Sequence, residues 1–258
     1  MGMPPVFDQD AWRTRIIVGD TVGVACPPGW FIKSYEIFRE RLIDPKYPCY
    51  FGSKAEKSSD LYYSFLEPAR SSHLAQSLTK FVEVSASLPG RKNNLAVFVR
   101  PEDEPVTHED RRQQTWDILQ DLHERDSDPW SHAAPPDPED HMWEFCFAGT
   151  LFFVVALSST HVLRKSRNMG PGLILIFQPR DVFVNPETGE KIGQAARNII
   201  RDRLRHWDDI DVHPDLGEFS DPRKNEWKQY YLSDDMTQEK RQCPFRARLK
   251  QRAASNDA

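Results

Sequence analysis

The stretch WEFCFAGTLFFVVAL, residues 143–157, holds the clearest strand signal in the chain. Two runs rich in aromatic and β-branched residues, 143–147 and 151–157, are separated by Ala148-Gly149-Thr150. Such runs favour strands, and a short connection that contains glycine is typical of a β-hairpin. The apolar run LILIF at residues 173–177 predicts a further buried strand. An antiparallel region of sheet is therefore expected in this half of the chain.

The half of the chain before the hairpin alternates strand and helix signals. LYYSFL at residues 61–66 and LAVFV at residues 95–99 predict strands, with an amphipathic helix between them. Thr107 with Asp110 resembles a capping box that begins another helix. Beyond the hairpin, residues 192–207 carry the cleanest amphipathic helical pattern. The order strand, helix, strand, helix favours a layered α/β arrangement and allows a parallel pair of strands.

We predict a single layered α/β domain, with α+β as the alternative, in which helices flank a mixed β-sheet. The 258 residues suit one large domain or two small ones. Aromatic residues such as Trp227 and Tyr230 should pack back onto the body, which favours one domain with a wrapping C-terminal tail. The predicted boundaries are an irregular N-terminal arm at 1–30, the folded domain at 31–246 and a disordered tail at 247–258.

Composition and charge exclude several classes of protein. Lys and Arg number 34 against 39 Asp and Glu, a formal net charge of -5, so nucleic acid is not expected as the main partner. No apolar run is long enough to span a bilayer and no signal peptide is apparent, so a cytoplasmic location with reduced thiols is expected. The four cysteines form no CxxC pair, which disfavours a structural zinc site. Nothing in the sequence indicates an oligomeric state.

Basic residues follow the ends of two predicted strands. The segment 160–167 places His161 beside Arg164 and Arg167, and Arg180 directly follows the strand at 173–177. Loops at strand ends often hold ligands in α/β sheets, and guanidinium groups bind carboxylates in a forked geometry. One interpretation is an anion site with a neighbouring ligand or acid–base group. The alternatives are a solvated basic turn and an arginine paired with a nearby carboxylate.

Acidic and aromatic residues meet in the C-terminal segment. Glu226 and Trp227 are adjacent, and Asp234 and Asp235 follow. Carboxylates beside an aromatic face suit a guanidinium or ammonium ligand. The alternative is that the aromatic side chains pack in the core while the charges remain in water.

Two cysteines lie next to prolines, in Pro48-Cys49-Tyr50 and Cys243-Pro244-Phe245. A cysteine at a rigid turn can supply a thiolate ligand to haem iron. It can equally be a small buried apolar residue, which is the commoner fate of free cysteine. Cys146 alternates with aromatic residues on a predicted strand and is interpreted as core.

Short blocks along the chain, each weak alone, together resemble the YqcI/YcgG family. They occur in family order from about residue 45 to residue 246, which covers most of the chain. The blocks are PCYFG at 48–52, DPW at 128–130, WEFCFAG at 143–149, RKSR at 164–167, QPR at 178–180, HPDLG at 213–217, EWKQY at 226–230 and CPF at 243–245. The resemblance implies that the predicted domain is of this family.

Characterised relatives in this family are haem proteins that hydroxylate a guanidine nitrogen of arginine or of an arginine-derived amino acid. They serve natural-product pathways, including those to D-cycloserine and guanitoxin. The resemblance therefore implies a monooxygenase with haem b, O2, an amino-acid-like substrate and an electron donor. His161 is the leading candidate for the iron ligand on this basis, with Cys243 and Cys49 as rivals. The alternatives are a haem-binding or haem-sensing protein without turnover and a non-haem interaction or stress protein.

The same resemblance suggests roles for other residues, while the catalytic group itself stays unknown. Arg164, Arg167 and Arg180 would pair with the haem propionates. The carboxylates that could orient a substrate guanidinium are Glu144, Glu226, Asp234 and Asp235. The aromatic residues that could wall the ring are Phe145, Phe147, Phe152 and Trp227.

Overall fold

A five-stranded sheet forms the centre of the molecule. The computed structural model describes residues 11–67, 71–183, 194–218 and 221–247. The strands of these residues are β1 (Ile17–Val18), β2 (Thr21–Val22), β3 (Leu61–Leu66), β4 (Asn94–Val99), β5 (Phe145–Phe147), β6 (Thr150–Ser158) and β7 (Leu173–Pro179). The α-helices are α1 (Gly29–Ile43), α2 (Tyr50–Lys57), α3 (Ser71–Ala86), α4 (His108–Arg125) and α5 (Gln194–Trp207).

The central sheet has the strand order β3-β4-β7-β6-β5, and β1 and β2 form a separate ribbon. β3 and β4 are parallel and connected through α3, whereas the other neighbours are antiparallel. This arrangement confirms the predicted mixed sheet. The β5–β6 hairpin is tighter than predicted, because Thr150 pairs with Phe147 and leaves only Ala148 and Gly149 in the turn. Both turn residues have positive φ, 48° and 68°, as a type I′ turn requires.

Alternating side chains of the sheet build two separate cores. On β4, Leu95 and Val97 point into a core completed by α3 and α4, and Ala96 and Phe98 point into a second core completed by α1 and α2. Because successive strand residues face opposite sides of a sheet, both faces of β4 are buried. The result is a helix–sheet–helix layering that matches the predicted fold class.

The α4 helix begins where the sequence predicted it. Thr107 Oγ1 accepts a hydrogen bond from the backbone N–H of Asp110, and the Asp110 carboxylate accepts one from the backbone N–H of Thr107. This reciprocal pair satisfies two N–H groups that the first helical turn leaves without partners. The aspartate therefore serves in place of the usual glutamate.

Two segments are more ordered than the sequence suggested. In the predicted irregular arm, Ala11–Arg15 forms a 3-10 helix, and Ile16 and Ile17 are fully buried. The turn predicted at 48–52 is instead the start of α2, with Cys49 at the N-cap position. Both elements are too short to show a hydrophobic period. Residues 1–10 and 248–258, which include nearly all of the predicted disordered tail, lie outside the described residues.

The C-terminal segment wraps onto the sheet, as its aromatic content predicted. Tyr230 is fully buried, and its backbone carbonyl accepts a 2.8 Å hydrogen bond from the N–H of Ala156 on β6. Its hydroxyl donates to the carbonyl of Phe152 at 2.9 Å and accepts from the N–H of Phe145 at 3.1 Å. These bonds fix residues 226–232 along the edge of β6. Within the described part of the chain, no helix is long and apolar enough to cross a membrane.

Candidate functional site

The structure distributes the predicted site residues over several separate places. Arg164, which is 2% exposed, binds main-chain oxygens rather than an open pocket. Its guanidinium donates to the carbonyls of Ser233 at 2.8 Å, Asp211 at 3.0 Å and Asp235 at 2.7 Å. Arg164 thus holds three loop positions together in this arrangement, and a propionate would have to compete for its donors.

Asp234 and Asp235 stabilise the loops around Arg164. The Asp234 carboxylate accepts hydrogen bonds from three successive N–H groups, those of Val162 at 2.9 Å, Leu163 at 3.0 Å and Arg164 at 2.9 Å. The Asp235 carboxylate accepts from the N–H of Thr237 at 2.8 Å and from its hydroxyl at 3.0 Å. These contacts give both carboxylates a role in loop conformation. A role in orienting substrate stays a prediction for them.

His161 is fully buried, and each of its ring nitrogens faces a carbonyl oxygen. Nε2 lies 3.0 Å from the oxygen of Leu232 and Nδ1 lies 3.3 Å from that of Ser158. The ring packs edge-on against His108, whose Nε2 also approaches Leu232 O, at 3.2 Å. Burial lowers the pKa of His161 to about 4, so the ring is neutral at pH 7. An iron ligand at this position would require His161 to leave Leu232.

Arg180 lies between two buried carboxylates. Its guanidinium forms ion pairs with Glu144, which is fully buried, and with Glu226 at 2.8 Å. The three residues form a network that we call the acid–arginine triad. The predicted common pocket of Arg164, Arg167 and Arg180 is not supported by these contacts. Arg180 has carboxylate partners of its own, which was the alternative interpretation of this residue.

The predicted aromatic wall and Cys243 belong to the core on the α3–α4 side of the sheet. Phe147 and Trp227 are 2% and 1% exposed. Cys243 is also 1% exposed and belongs to the same core, which further includes Phe145 and Phe152. Burial raises the pKa of the Cys243 thiol to about 12, which disfavours a thiolate there. The packing alone accounts for these side chains.

Arg167 and Cys49 lie together on the opposite side of the sheet. Arg167 donates only two long hydrogen bonds, to Ala156 O at 3.3 Å and Gln229 O at 3.4 Å. Among the described residues it forms no ion pair with a carboxylate. Burial lowers its pKa to about 10, and the nearby Tyr47, Asp208 and Cys49 act in the opposite direction. Arg167 thus has a carboxylate in its vicinity but, within the described part of the chain, no carboxylate in contact, and a further anion close to it would be stabilised.

Cys49 has the features of a cysteine that can become a thiolate. It is partly exposed and occupies the N-cap of α2. The backbone N–H groups of Phe51 and Gly52 in the first turn of α2 and the charge of Arg167 are close to its sulfur. Burial still raises the pKa of the thiol, while these donors and Arg167 lower it. A metal ion bound to the sulfur would remove the proton outright.

The surroundings of this cysteine are rigid. Tyr47 is buried, and its hydroxyl donates to Ser166 O at 3.1 Å. Ser166 in turn donates to the Asp208 carboxylate through its N–H at 2.6 Å and through its hydroxyl at 2.8 Å. Trp207 packs edge-on against Tyr47 with ring centroids 5.6 Å apart. We call Cys49, Arg167 and Tyr47 the thiol–guanidinium site.

An open groove of about 430 Å³ adjoins the thiol–guanidinium site. It runs along α2 toward Arg203 of α5, with Tyr47 and Tyr50 in its wall. The sequence signal for this groove was weak. No element was predicted for the stretch that holds Lys54 and Lys57, and only the fold brings Arg203 into the same groove. The presence of PCYFG among the family-like blocks was the one indication that this region matters.

Haem b, which the family resemblance implies, needs an axial ligand and partners for its carboxylates. His161 and Cys243 do not fit as they stand, because His161 is fully buried with both ring nitrogens facing carbonyl oxygens and Cys243 is enclosed by the core. Cys49 fits better, since it is partly exposed, lies at the N-cap of α2 and is close to the guanidinium of Arg167. No group of three or more His, Cys, Asp or Glu that could hold a bare metal ion occurs among the described residues.

Comparisons with known proteins extend over most of the chain. The YqcI/YcgG family model matches residues 38–246. The chain is 34% identical over 227 residues to the uncharacterized protein YqcI of Bacillus subtilis (strain 168), covering 84% of this chain and 88% of that protein. It is 29% identical over 224 residues to the "Putative N(omega)-hydroxy-L-arginine synthase DcsA" of Streptomyces lavendulae, covering 84% of each. No solved structure matches significantly.

Proposed function

Because this chain belongs to the YqcI/YcgG family, we propose that it is an N-oxygenase that hydroxylates a guanidine or amine nitrogen of arginine or a related amino acid. The name of the Streptomyces lavendulae relative supports this proposal, since it describes an N-hydroxy-L-arginine synthase. That relative aligns over 84% of its own length, so the likeness extends across the domain. We further propose that the cofactor is haem b and that an external donor supplies electrons.

The observation that carries the proposal is the thiol–guanidinium site beside an open groove. Cys49 combines partial exposure, a position at the N-cap of α2 and a neighbouring cation, Arg167. Such surroundings are typical of reactive or metal-binding cysteines, whereas structural cysteines are enclosed and inert. Cys146 and Cys243, each 1% exposed, are the structural kind. Cys49 is partly exposed and its segment borders the open groove, so it is the better candidate for ligand chemistry.

Haem b held by Cys49 would supply an iron centre for O2 activation, with a thiolate that favours O–O cleavage. The backbone N–H groups of Gly52 and Phe51 would stabilise the negative charge on the sulfur. Arg167 would add a fixed positive charge at the same place. The overall change would place one oxygen atom of O2 on the substrate nitrogen. The other oxygen atom would leave as water, with two electrons from the donor and two protons.

Replacing Cys49 with alanine is expected to abolish haem binding. The protein would be produced with added haem precursor, and its absorption recorded in the oxidised, reduced and carbon monoxide-bound states. We expect a stoichiometric Soret band and a thiolate-type carbon monoxide band in the unsubstituted protein, and neither in Cys49→Ala. Cys26→Ala is the matched control, because Cys26 is exposed and should leave the spectrum unchanged.

Three outcomes would contradict parts of the proposal. A colourless protein that takes up no added haem would remove the cofactor and favour a non-haem interaction protein. A histidine-type spectrum lost in His161→Ala but kept in Cys49→Ala would return the ligand to His161. A haem protein that forms no N-hydroxylated product from arginine-like amino acids with O2 and a reductant would be a binding or sensing protein instead.

A further inference from the structure

The groove beside Cys49 carries positive charge that the protein itself does not neutralise. Lys54 and Lys57 of α2 and Arg203 of α5 line it. Within the described residues, none of the three forms an ion pair with a carboxylate. Arg203 instead donates to the carbonyls of Pro45 at 3.5 Å and Tyr47 at 3.3 Å. We call this feature the basic groove.

Most other cations near α2 are paired, which makes the basic groove unusual. Arg39 binds Glu56 at 3.0 Å and Arg91 binds Asp60 at 2.5 Å. Arg15 also binds Glu56, at 3.1 Å. In a chain with a formal net charge of -5, acidic partners are not scarce. Three cations that line one groove without an acidic partner indicate a place where an external anion can bind.

The lining of the basic groove is suited to a carboxylate on a small molecule. Asp44 is the one acid in it, and its Oδ1 accepts the N–H of Lys46 at 2.7 Å. Three positive charges therefore face one negative charge. The guanidinium of Arg203 lies over the ring of Tyr50, 5.6 Å from its centre. This contact helps to fix the orientation of its N–H donors. A fixed guanidinium with two lysines can bind both oxygens of a carboxylate.

We propose that the basic groove binds a carboxylate of the molecule that reaches Cys49. This inference rests on the proposed function, because it takes the thiol–guanidinium site as the reaction centre. Tyr47 of the thiol–guanidinium site and Tyr50, which follows Cys49 in the chain, both line the groove, so the groove lies alongside the segment that carries the sulfur. The carboxylate is either the α-carboxylate of the amino-acid substrate or a propionate of haem b. If it is a propionate, Lys54, Lys57 and Arg203 would take the role that the family resemblance suggested for Arg164, Arg167 and Arg180.

Paired ligands with and without free carboxylates distinguish the two sources. Binding of L-arginine would be compared with that of agmatine, which lacks the carboxylate, by calorimetry on the purified protein. Binding of haem b would be compared with that of its dimethyl ester by absorption titration. A charge-assisted contact contributes about 1.5–3 kcal/mol, so we expect about 10-fold to 100-fold tighter binding of the acid in one of the two pairs.

Substitution of the groove then assigns that preference to its residues. Lys54→Gln/Lys57→Gln and Arg203→Gln should each reduce the preference for the acid, whereas Lys33→Gln should not. Lys33 is exposed on α1 outside the groove and serves as the matched control. Loss of the arginine preference assigns the substrate carboxylate, and loss of the haem preference assigns a propionate. The three lysines are exposed, so unfolding midpoints of their variants should stay the same. The midpoint of Arg203→Gln shows whether loss of the bonds to Pro45 and Tyr47 affects the fold.

An equal preference in the groove variants and the unsubstituted protein would overturn the inference, as would the absence of any preference in both pairs. These readouts need no turnover. A protein that discriminates the carboxylate but forms no hydroxylated product would support the basic groove and contradict the proposed N-oxygenase. Formation of the hydroxylated product without any preference for the carboxylate would support the proposed N-oxygenase and contradict the carboxylate site in the basic groove.

Discussion

Replacing Arg180 with methionine is expected to lower the free energy of unfolding by about 3–5 kcal/mol. The guanidinium lies between Glu144, which is fully buried, and Glu226, which is 5% exposed. Methionine fills much of the same space but leaves two carboxylates close together with no cation between them. One of them would take up a proton or the local packing would open. Either event costs far more than the loss of a surface ion pair.

Urea unfolding followed by circular dichroism on the haem-free protein measures this effect. The control is Arg223→Met, which removes a guanidinium that is 84% exposed and paired with Asp221 at 2.9 Å. Exposed pairs contribute roughly 0–1 kcal/mol, so this variant should unfold close to the unsubstituted protein. If Arg180 instead served a haem propionate, Arg180→Met would leave the haem-free protein intact and weaken only haem binding. That pattern would contradict a structural role for the acid–arginine triad.

The long elements of the fold could be predicted because their signals are periodic. The apolar run at 173–177 and the capping residue Thr107 indicate β7 and α4 with no knowledge of their neighbours. The helix α2 could not be predicted in the same way, since it has eight residues and includes Gly52. Its stability comes from packing of Ala55 in the α1–α2 core.

The site was harder to predict because partners decide what a charged residue does. Arg164, Arg167 and Arg180 look alike in the sequence, yet they bind backbone carbonyls, no carboxylate and two carboxylates, respectively. Glu144, which directly precedes β5, pairs with Arg180 although the two residues are 36 positions apart in the chain. Such long-range pairs leave no local pattern. Resemblance to a family marked the blocks that hold these residues, but it could not assign structural and ligand-binding roles within them.

Lowering the pH from about 7 to about 5 is expected to destabilise the protein through two buried histidines. Burial lowers the pKa of His161 to about 4 and that of His213 to about 4, from 6.5 for the free side chain. Both are therefore neutral in the folded protein. His213 Nδ1 accepts the N–H of Asp215 at 3.1 Å, and its Nε2 lies 2.9 Å from the Ser233 hydroxyl. A proton on Nδ1 would break the first of these bonds.

The sign of the effect follows from which state binds more protons. Below about pH 6.5 the unfolded chain protonates these histidines, whereas the folded protein does not do so until about pH 4. Their stabilising contribution is complete above pH 6.5 and is lost progressively between these two values. One pKa unit corresponds to 1.36 kcal/mol, so each histidine should account for about 2 kcal/mol of lost stability by about pH 5. Carboxylates with lowered pKa values, such as Asp221 at about 2, act only at lower pH.

Urea unfolding at several pH values tests this prediction, with His161→Gln and His213→Asn as variants. Each replacement can keep one hydrogen bond of the neutral ring but cannot titrate. Each should therefore flatten the dependence of unfolding free energy on pH by about 2 kcal/mol over this range, whatever its effect at pH 7. His206→Gln is the control, since its side chain is 77% exposed and is surrounded by water in both states. An unchanged slope in both buried-site variants would mean that these histidines have the same pKa in the folded and the unfolded protein, which would contradict the prediction.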